Sequence, residues 1–238
     1  MAKLSVIIPI ASAELSILDL AQDLSHLPRD AEVIFVVSDE AQFGDEKEQL
    51  KAIFEKQKMQ WVLSEEGRAA ALNTGVEVST SDLLWFVHAD SRLCDITINR
   101  MMESITNTPD TIWFCGLRYL NDGPCQMGFS QLGANIRSRL FKIPFGDQGI
   151  CMSKKIFYIL GGYRQDVEFG EDHLLIWQAK HYKIPIKHCG GTVWTSARKY
   201  KEEGWLTLTW QRQLMWLQQA WPEFCTYVGA FYNQVRQR

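Results

Sequence analysis

The sequence predicts an α/β fold with a mostly parallel, doubly wound sheet flanked by helices. Residues 4–10 (LSVIIPI) and 32–37 (EVIFVV) are continuous β-branched runs, which are typical of parallel strands buried on both faces. Helical patterns with apolar residues three or four positions apart lie between such runs. This alternation of strand and helix up to residue 87 is the signature of a doubly wound sheet.

The elements of the first half follow from this pattern in order. Four strands are predicted, at residues 4–10, 32–37, 59–63 and 83–87, with helices after Ser12, at about 45–58 and at 66–78. Asp39 follows the second strand and Asp90 follows the fourth. Ligands of such sheets bind beyond the carboxyl ends of the strands, so we expect both aspartates at the binding edge.

The pattern loosens in the second half, although elements are still predicted. We expect helices at 96–106, 154–160 and 170–182, strands at 112–119 and 149–152, and loop with a short helix over the Gly- and Pro-rich residues 122–147. The tail from Trp205 to Tyr232 is helical in character, and Pro222 should break or restart it. We predict one domain over residues 1–203, with 204–238 as an aromatic-rich helical extension of it.

Composition narrows the class of protein. The chain has 238 residues, 46% of them hydrophobic, which suits a single large domain. A net charge of −3 argues against a nucleic-acid binder. None of the six cysteines forms a C-x-x-C pair, which indicates reduced thiols in a cytosolic protein. The apolar N-terminal run is too short for a membrane span and no cleavage site follows it, so we expect a cytoplasmic protein, with peripheral contact at the inner membrane face as an alternative.

Several motifs occur in a fixed order and together resemble family 2 glycosyltransferases of the GT-A fold. They are Val6-Ile7-Ile8-Pro9, Val36-Val37-Ser38-Asp39, the helix Gly67-Arg68-Ala69…Asn73-x-Gly75 leading to His88-Ala89-Asp90, the segment from Gly149 to Gly161-Gly162-Tyr163, and Gly170-Glu171-Asp172. The sequence is most similar to small bacterial members in which the Asp-x-Asp motif reads His-Ala-Asp and a later loop reads Gly-Asp-Gln-Gly, here residues 146–149. The resemblance covers roughly residues 4–190.

The resemblance implies an activity and a set of site residues. It implies inverting transfer of a sugar from a nucleotide diphosphate donor to a hydroxyl acceptor, with Mg²⁺ or Mn²⁺ at Asp90 and His88. Asp172 is the implied general base. The remaining implied residues are Pro9, Ala11, Asp39, Gly67 and Arg68 on the donor side, and Asp147, Gln148, Glu171 and Arg198 on the acceptor or diphosphate side.

Two departures from the family pattern leave alternatives open. The first acid of Asp-x-Asp is His88 here, which either binds metal as a neutral imidazole or lines the pocket. The second strand ends in Ser38-Asp39 where the family often has paired acids, so the register of the base-contacting aspartate is open by one position.

Each candidate also has an ordinary structural interpretation. Asp90 could form a turn, and Glu171 and Asp172 could be the acidic first turn of a helix. Asp147 is the second candidate for the base, and Arg198 is either a surface cation or a diphosphate contact. Asn73 and Gly75 favour helix packing over ligand contact.

Rival functions remain at this stage. The acceptor could be a polyprenyl phosphate at the membrane surface, or the protein could bind nucleotide sugars without catalysis. A dinucleotide-binding oxidoreductase is disfavoured, because no G-x-G-x-x-G follows the first strand. The tail contains four tryptophans, Trp205, Trp210, Trp216 and Trp221. They suit packing onto the domain or a dimer contact, and a helix at the membrane interface is the alternative.

Overall fold

The chain folds as one mixed β-sheet with helices on both faces, which confirms the α/β prediction. The structure is a computed structural model that describes residues 3–10, 17–38, 44–65 and 67–236. Eight strands are formed within these ranges: β1 Leu4–Ile10, β2 Glu32–Val37, β3 Lys58–Leu63, β4 Leu83–Phe86, β5 Ser91–Arg92, β6 Ile112–Tyr119, β7 Cys151–Ser153 and β8 Ile186–Thr195. Nine α-helices are formed there: α1 Ile17–Leu24, α2 Gly44–Ile53, α3 Arg68–Val78, α4 Asp95–Asn107, α5 Met127–Leu140, α6 Lys154–Ile159, α7 Glu171–His181, α8 Arg198–Glu202 and α9 Trp205–Arg236.

The strand order places the carboxyl ends of the first four parallel strands together. The sheet runs β3-β2-β1-β4-β7-β6-β8-β5. β1 is parallel to β2 and to β4, and β2 is parallel to β3. β7 is antiparallel to both of its neighbours, whereas β6 and β8 are parallel. The parallel half therefore supplies the binding edge that the sequence predicted.

Two hydrophobic clusters cover the two faces of this sheet. Successive residues of a strand point to opposite faces, so Val6 and Ile8 pack in one cluster and Ile7 in the other. A Cβ atom on Gly75 would lie 2.4 Å from the Ile7 Cγ2 atom. This confirms that Gly75 allows α3 to pack closely on β1.

Helix α5 is longer than the sequence indicated. Residues 122–147 were expected to be loop with a short helix, yet α5 spans fourteen residues. Each interior glycine of a helix costs about 1 kcal/mol relative to alanine, which weakens the local signal. Hydrogen bonds between α5 and β6 offset this cost, because the Asn135 side chain accepts from the Leu117 amide and donates to the Leu117 carbonyl.

Strand β8 was missed by the sequence reasoning altogether. Its pattern is interrupted by Lys187, His188 and the pair Gly190-Gly191, so it lacks a continuous apolar run. The strand forms because it pairs with β6 along most of its length, with a register shift between Phe114 and Gly116. Pairing with a distant strand, and not local preference, decides this element.

The tail forms one helix, so the prediction that Pro222 breaks it is wrong. Pro222 lies inside the 32-residue α9 and is exposed. Side chains on both sides of it bind the domain: Gln219 donates to the Phe169 carbonyl, and Glu223 pairs with His181 at 2.9 Å. In the described part of the chain, no helix combines the length and apolarity needed to cross a membrane. All six cysteines are free thiols, as predicted.

Candidate active site

A cavity of about 390 Å³ opens at the carboxyl ends of the parallel strands. Its wall includes residues at or just beyond the ends of four strands: Pro9 and Ile10 of β1, Ser38 after β2, Ser64 and Glu65 after β3, and Ala89 and Asp90 after β4. Gly67, Arg68 and Ala71 line it from the start of α3. The cavity therefore occupies the position at which ligands bind to doubly wound sheets.

His88 and Asp90 lie side by side in the wall of this cavity. Burial and the nearby Arg68 guanidinium lower the pKa of His88 to about 4. The imidazole is therefore neutral at pH 7 and retains a nitrogen lone pair. Asp90 Oδ1 accepts a hydrogen bond from the Thr195 hydroxyl at 3.4 Å.

Arg68, the first residue of α3, joins the two halves of the site. Its Nε donates to the Glu171 carboxylate, and its Nη2 lies 3.9 Å from Asp172 Oδ2. Burial alone would lower the pKa of Arg68, but Asp172 and Glu171 raise it above its usual value. Glu171 is itself buried, so it acts as the anchor that holds this guanidinium at the cavity wall. Gly67 precedes the helix at φ +108°, a conformation that favours glycine.

Asp172 is held by two backbone amides at the start of α7. Its Oδ2 accepts from the Gly146 N–H at 2.5 Å, and its Oδ1 accepts from the His173 N–H at 2.7 Å. Burial alone would raise its pKa, but the Arg68 charge and the Gly146 hydrogen bond hold it below its usual value. Gly146 is pressed against these groups, since a Cβ there would lie 2.8 Å from His88 Nε2 and 3.0 Å from Asp172 Oδ2.

Asp147, on the 3-10 turn Gly146–Gln148, is in the opposite electrostatic situation. Burial and the neighbouring carboxylates of Asp172 and Asp90 raise its pKa to about 6, against the opposing effect of Arg137. Its Oδ1 is buried and has no hydrogen-bond partner among the described residues.

Gln148 supports this turn from behind. It is fully buried, and its amide donates to the Cys115 carbonyl at 3.1 Å and to Ser138 Oγ at 2.9 Å. In this position it shapes the loop, and it is not among the residues that line either of the two cavities described here.

A second cavity of about 570 Å³ lies between α5, α8 and α9. Its wall is rich in aromatic rings, namely Tyr119, Phe129, Phe141, Phe145, Phe169, Tyr200, Trp205 and Trp216. Asp147, Asp172 and Arg198 line it, together with Arg137 and Arg212.

Arg137 is a site residue that sequence reasoning missed. Its guanidinium carbon lies 3.4 Å from the centroid of the Phe145 ring, and its Nε donates to the Ile143 carbonyl at 3.0 Å. No motif marks it, because the stack depends on the path of the chain after α5.

The two cavities meet at four residues that line both of them: Arg68, His88, Asp90 and Lys199. Pro9 and Gly67 line only the first cavity, whereas Asp147, Asp172 and Arg198 line only the second. Ala11 and Asp39, which the sequence also assigned to the donor side, lie outside the described residues. The structure thus brings most predicted residues together and divides them between two connected spaces.

The donor groups at the junction fit a divalent cation in part. A carboxylate and a neutral imidazole are suitable ligands for Mn²⁺, and carboxylate oxygen is suitable for Mg²⁺. Within the described residues, no three His, Cys, Asp or Glu side chains are grouped closely enough to hold a metal alone. Such a site matches cations that take one or two protein ligands and complete their shell with substrate phosphates and water.

A ligand cavity at the carboxyl ends of parallel strands, lined by acids and cations, is the arrangement of a doubly wound α/β protein with a binding site at its sheet edge. The profile described as "Glycosyl transferase family 2" matches residues 5–163, and the chain belongs to this family. Its fold is of the GT-A type found in glycosyltransferases, as the sequence motifs indicated. No curated protein sequence matches the chain.

Solved structures of similar fold include three glycosyltransferases. One is S. aureus TarS 1-349, which superposes with a TM-score of 0.63 at 16% identity, over 82% of this chain and 60% of that chain. Other structures of TarS 1-349 are in complex with UDP and with UDP-GlcNAc. The structure of GalNAc-T7 with UDP, GalNAc and Mn²⁺ superposes with a TM-score of 0.63 at 13% identity, over 82% of this chain and 44% of that chain. The mannosyltransferase PcManGT from Pyrobaculum calidifontis, in complex with GDP-Man and Mn²⁺, superposes with a TM-score of 0.60 at 16% identity, over 80% of this chain and 56% of that chain. The chain spans less than two thirds of each of these proteins.

Proposed function

We propose that the protein transfers a sugar from a nucleotide diphosphate donor to a hydroxyl acceptor with inversion, in a metal-dependent reaction. The main support for this proposal is that the two cavities meet at a shared set of lining residues. In-line displacement requires the acceptor hydroxyl to attack the anomeric carbon of the donor from the side opposite the departing nucleoside diphosphate. The first cavity provides a space for the nucleotide, the second a space for the acceptor, and charged groups line the point at which they meet.

In this proposal the donor diphosphate binds at the junction. Arg68 and Lys199 supply positive charge there, and phosphate oxygens bind well to such groups. The nucleoside then lies toward Pro9, Ser38 and Ser64. A divalent cation held at Asp90, with His88 beside it, would neutralise the charge that develops on the leaving diphosphate. The solved relatives in complex with UDP or GDP-Man support a uridine or guanosine donor.

Asp172 is the proposed base that takes the proton of the acceptor hydroxyl. It lines the acceptor cavity only, apart from the donor wall, as the geometry of inversion requires. Its low pKa keeps it ionised at neutral pH, and two amides fix its orientation. Asp147 is the second candidate, because its raised pKa of about 6 lies nearer to neutral pH and suits a stronger base.

A thermal-shift screen of nucleotides and nucleotide sugars, with Mn²⁺ and with EDTA, identifies the donor. A ligand at 100 times its dissociation constant adds about 2.7 kcal/mol of stability, which such a screen detects readily. The donor that stabilises the protein is then assayed for metal-dependent release of nucleoside diphosphate in the presence of candidate acceptors. Stabilisation without any turnover would instead indicate a protein that binds nucleotide sugars and does not react them. No stabilisation by any donor would contradict the proposal.

A lipid-linked acceptor such as a polyprenyl phosphate is a second candidate, favoured by the rim of the acceptor cavity. Phe129, Ile136 and Phe141 line this cavity and are nevertheless 74%, 47% and 57% exposed. Co-sedimentation with lipid vesicles tests it, with Phe129→Ser as the variant and Ile96→Ser, at another exposed apolar residue, as the matched control. Loss of vesicle binding in Phe129→Ser alone would favour the lipid-linked acceptor.

A further inference from the structure

We propose that the outward face of α9 is a self-association surface that pairs with the same face of a second copy of this chain. The face is a stripe of six exposed apolar residues, called here the outer stripe: Trp210, Leu214, Leu217, Trp221, Phe224 and Val228. Their spacing alternates four and three residues without interruption. This is the a/d repeat of helices that pair along a narrow seam.

The opposite face of α9 is already used by the domain. Leu208 and Ala220 are buried, and Gln219 bonds to both Phe169 and His173. Trp205 donates to Ser130 Oγ at 2.9 Å, which fixes the start of the helix. On a helix with 3.6 residues per turn, Leu208 and Gln219 lie opposite the outer stripe, and Ala220 lies beside it. The stripe therefore points away from the domain except at Phe224, whose ring centroid lies 6.5 Å from that of Trp177 in α7.

The charges of α9 favour a protein partner over an anionic lipid surface. An interfacial helix carries Lys and Arg along its polar face. Between Trp205 and Val228 the charged residues of α9 are Arg212 and Glu223, and both face the domain, where they bond to Tyr200 and His181. The stripe is flanked by the neutral residues Gln211 and Gln218, so it has neither attraction to anionic lipid nor repulsion against an identical stripe.

The exposed area matches what a stable dimer needs. The six residues are between 44% and 65% exposed, and Leu206 and Tyr232 extend the surface at 63% and 64%. An aromatic side chain has roughly 150–250 Å² of surface, so the exposed parts of the six stripe residues together amount to about 600–800 Å² per chain. A standard interface buries about 800 Å² on each partner, whereas a monomer rarely exposes an apolar patch of this size. A two-fold dimer presents the same stripe from both copies.

Pairing through the outer stripe would also stabilise the acceptor side of the site. Trp216 and Arg212 project from the inner face of the same helix and line the second cavity. A helix held from both faces keeps these residues in place. The proposal does not depend on the proposed function, because it concerns the back of α9.

Sedimentation velocity on the full chain tests the proposal between about 1 and 100 µM, a range that covers micromolar dissociation constants. The test variant carries Leu217→Glu and Trp221→Glu, which place charge in the centre of the stripe. The control carries Gln211→Glu and Gln218→Glu, which add the same charge at its edge. Melting curves show that each variant is folded, since all four positions are exposed.

We expect a dimer for the wild-type chain and the control, and at least a hundredfold weaker association for the stripe variant. A wild-type monomer at about 100 µM would overturn the proposal. A dimer that the stripe variant leaves intact would overturn it too, because the contact would lie elsewhere. A monomer whose stripe binds vesicles of neutral phosphatidylcholine, lost in the stripe variant, would replace the second copy with a lipid surface.

Discussion

Two neighbouring carboxyl groups that line the second cavity have opposite pKa shifts. Asp172 is held ionised by Arg68 and two amides, whereas burial and nearby carboxylates raise the pKa of Asp147 to about 6. The sequence motifs located both residues, together with His88, Asp90 and Arg68. They could not reveal that Glu171 anchors Arg68, because these residues are 103 positions apart in sequence. Nor could they reveal that Arg137 stacks on Phe145, because this stack depends on the path of the chain after α5.

Replacing Asp172 by Asn tests its role as the base. The change keeps the shape and an oxygen acceptor for the Gly146 amide but removes basicity. We expect turnover to fall at least about a hundredfold while donor affinity changes little, since Asp172 lines the acceptor cavity only. The transfer rate and the donor affinity are measured for Asp172→Asn and for Asp147→Asn, and for Glu171→Gln in parallel. Near-normal turnover in Asp172→Asn, with a large loss in Asp147→Asn, would move the base to Asp147.

Asp147→Asn should stabilise the fold above neutral pH. The folded chain binds the Asp147 proton more tightly than the unfolded chain, because its pKa is about 6 instead of the usual 3.8. Stability is therefore lost as the pH rises from about 4 through 6, where the buried carboxyl ionises. The Asn variant escapes this cost, which is at most about 3 kcal/mol at pH 8.

Melting temperatures at pH 5 and pH 8 measure this effect. We expect the gain of Asp147→Asn to be larger at pH 8, and Asp110→Asn, at an exposed residue, to show no such difference. A variant that is less stable than the wild type at pH 8 would show that the ionised carboxylate stabilises the fold.

At the scale of elements, the predicted parts are those whose signal is local. Strands β1, β2 and β4 are continuous apolar runs and were located to within a residue. Strand β8 and helix α5 depend on pairing with β6, and α9 continues through Pro222 because the domain holds it on both sides of the proline. Tertiary contacts override local preference in all three cases.

The junction of α7 and α9 depends on Gly170, which precedes Asp172. Its φ is +82°, and a Cβ there would lie 2.2 Å from Gln219 Oε1 and 2.8 Å from His173 Nε2. We expect Gly170→Ala to destabilise the fold by about 2 kcal/mol or more and to lower turnover, because it displaces the start of α7.

Urea denaturation measures this cost, with Gly128→Ala as the matched control. Gly128 lies in α5 with open space around it, so alanine there should be neutral or stabilise by about 0.5–1 kcal/mol. Equal stability of the two variants would show that the α7–α9 junction adapts freely to a side chain.

At the scale of the whole molecule, the sheet explains the position of the site. Four parallel strands end at one edge, where the first cavity forms, and the second half of the chain encloses the second cavity with α5, α8 and α9. The order of motifs in the sequence predicted a site at this edge and named Asp147, Asp172 and Arg198, which line the second cavity. It did not indicate the aromatic wall of that cavity, which is assembled from α5, from the residues after β8 and from the tail helix.

The most direct test is the calorimetric titration of UDP and GDP into the protein with Mn²⁺ and with EDTA. The wild-type chain should bind one of them at least about tenfold more tightly with Mn²⁺, a difference of about 1.4 kcal/mol. Asp110→Ala, at the opposite edge of the sheet before β6, should keep this gain, and Asp90→Ala should lose it. Equal affinity in Mn²⁺ and EDTA, or an undiminished gain in Asp90→Ala, would contradict a metal-assisted donor site at this edge of the sheet.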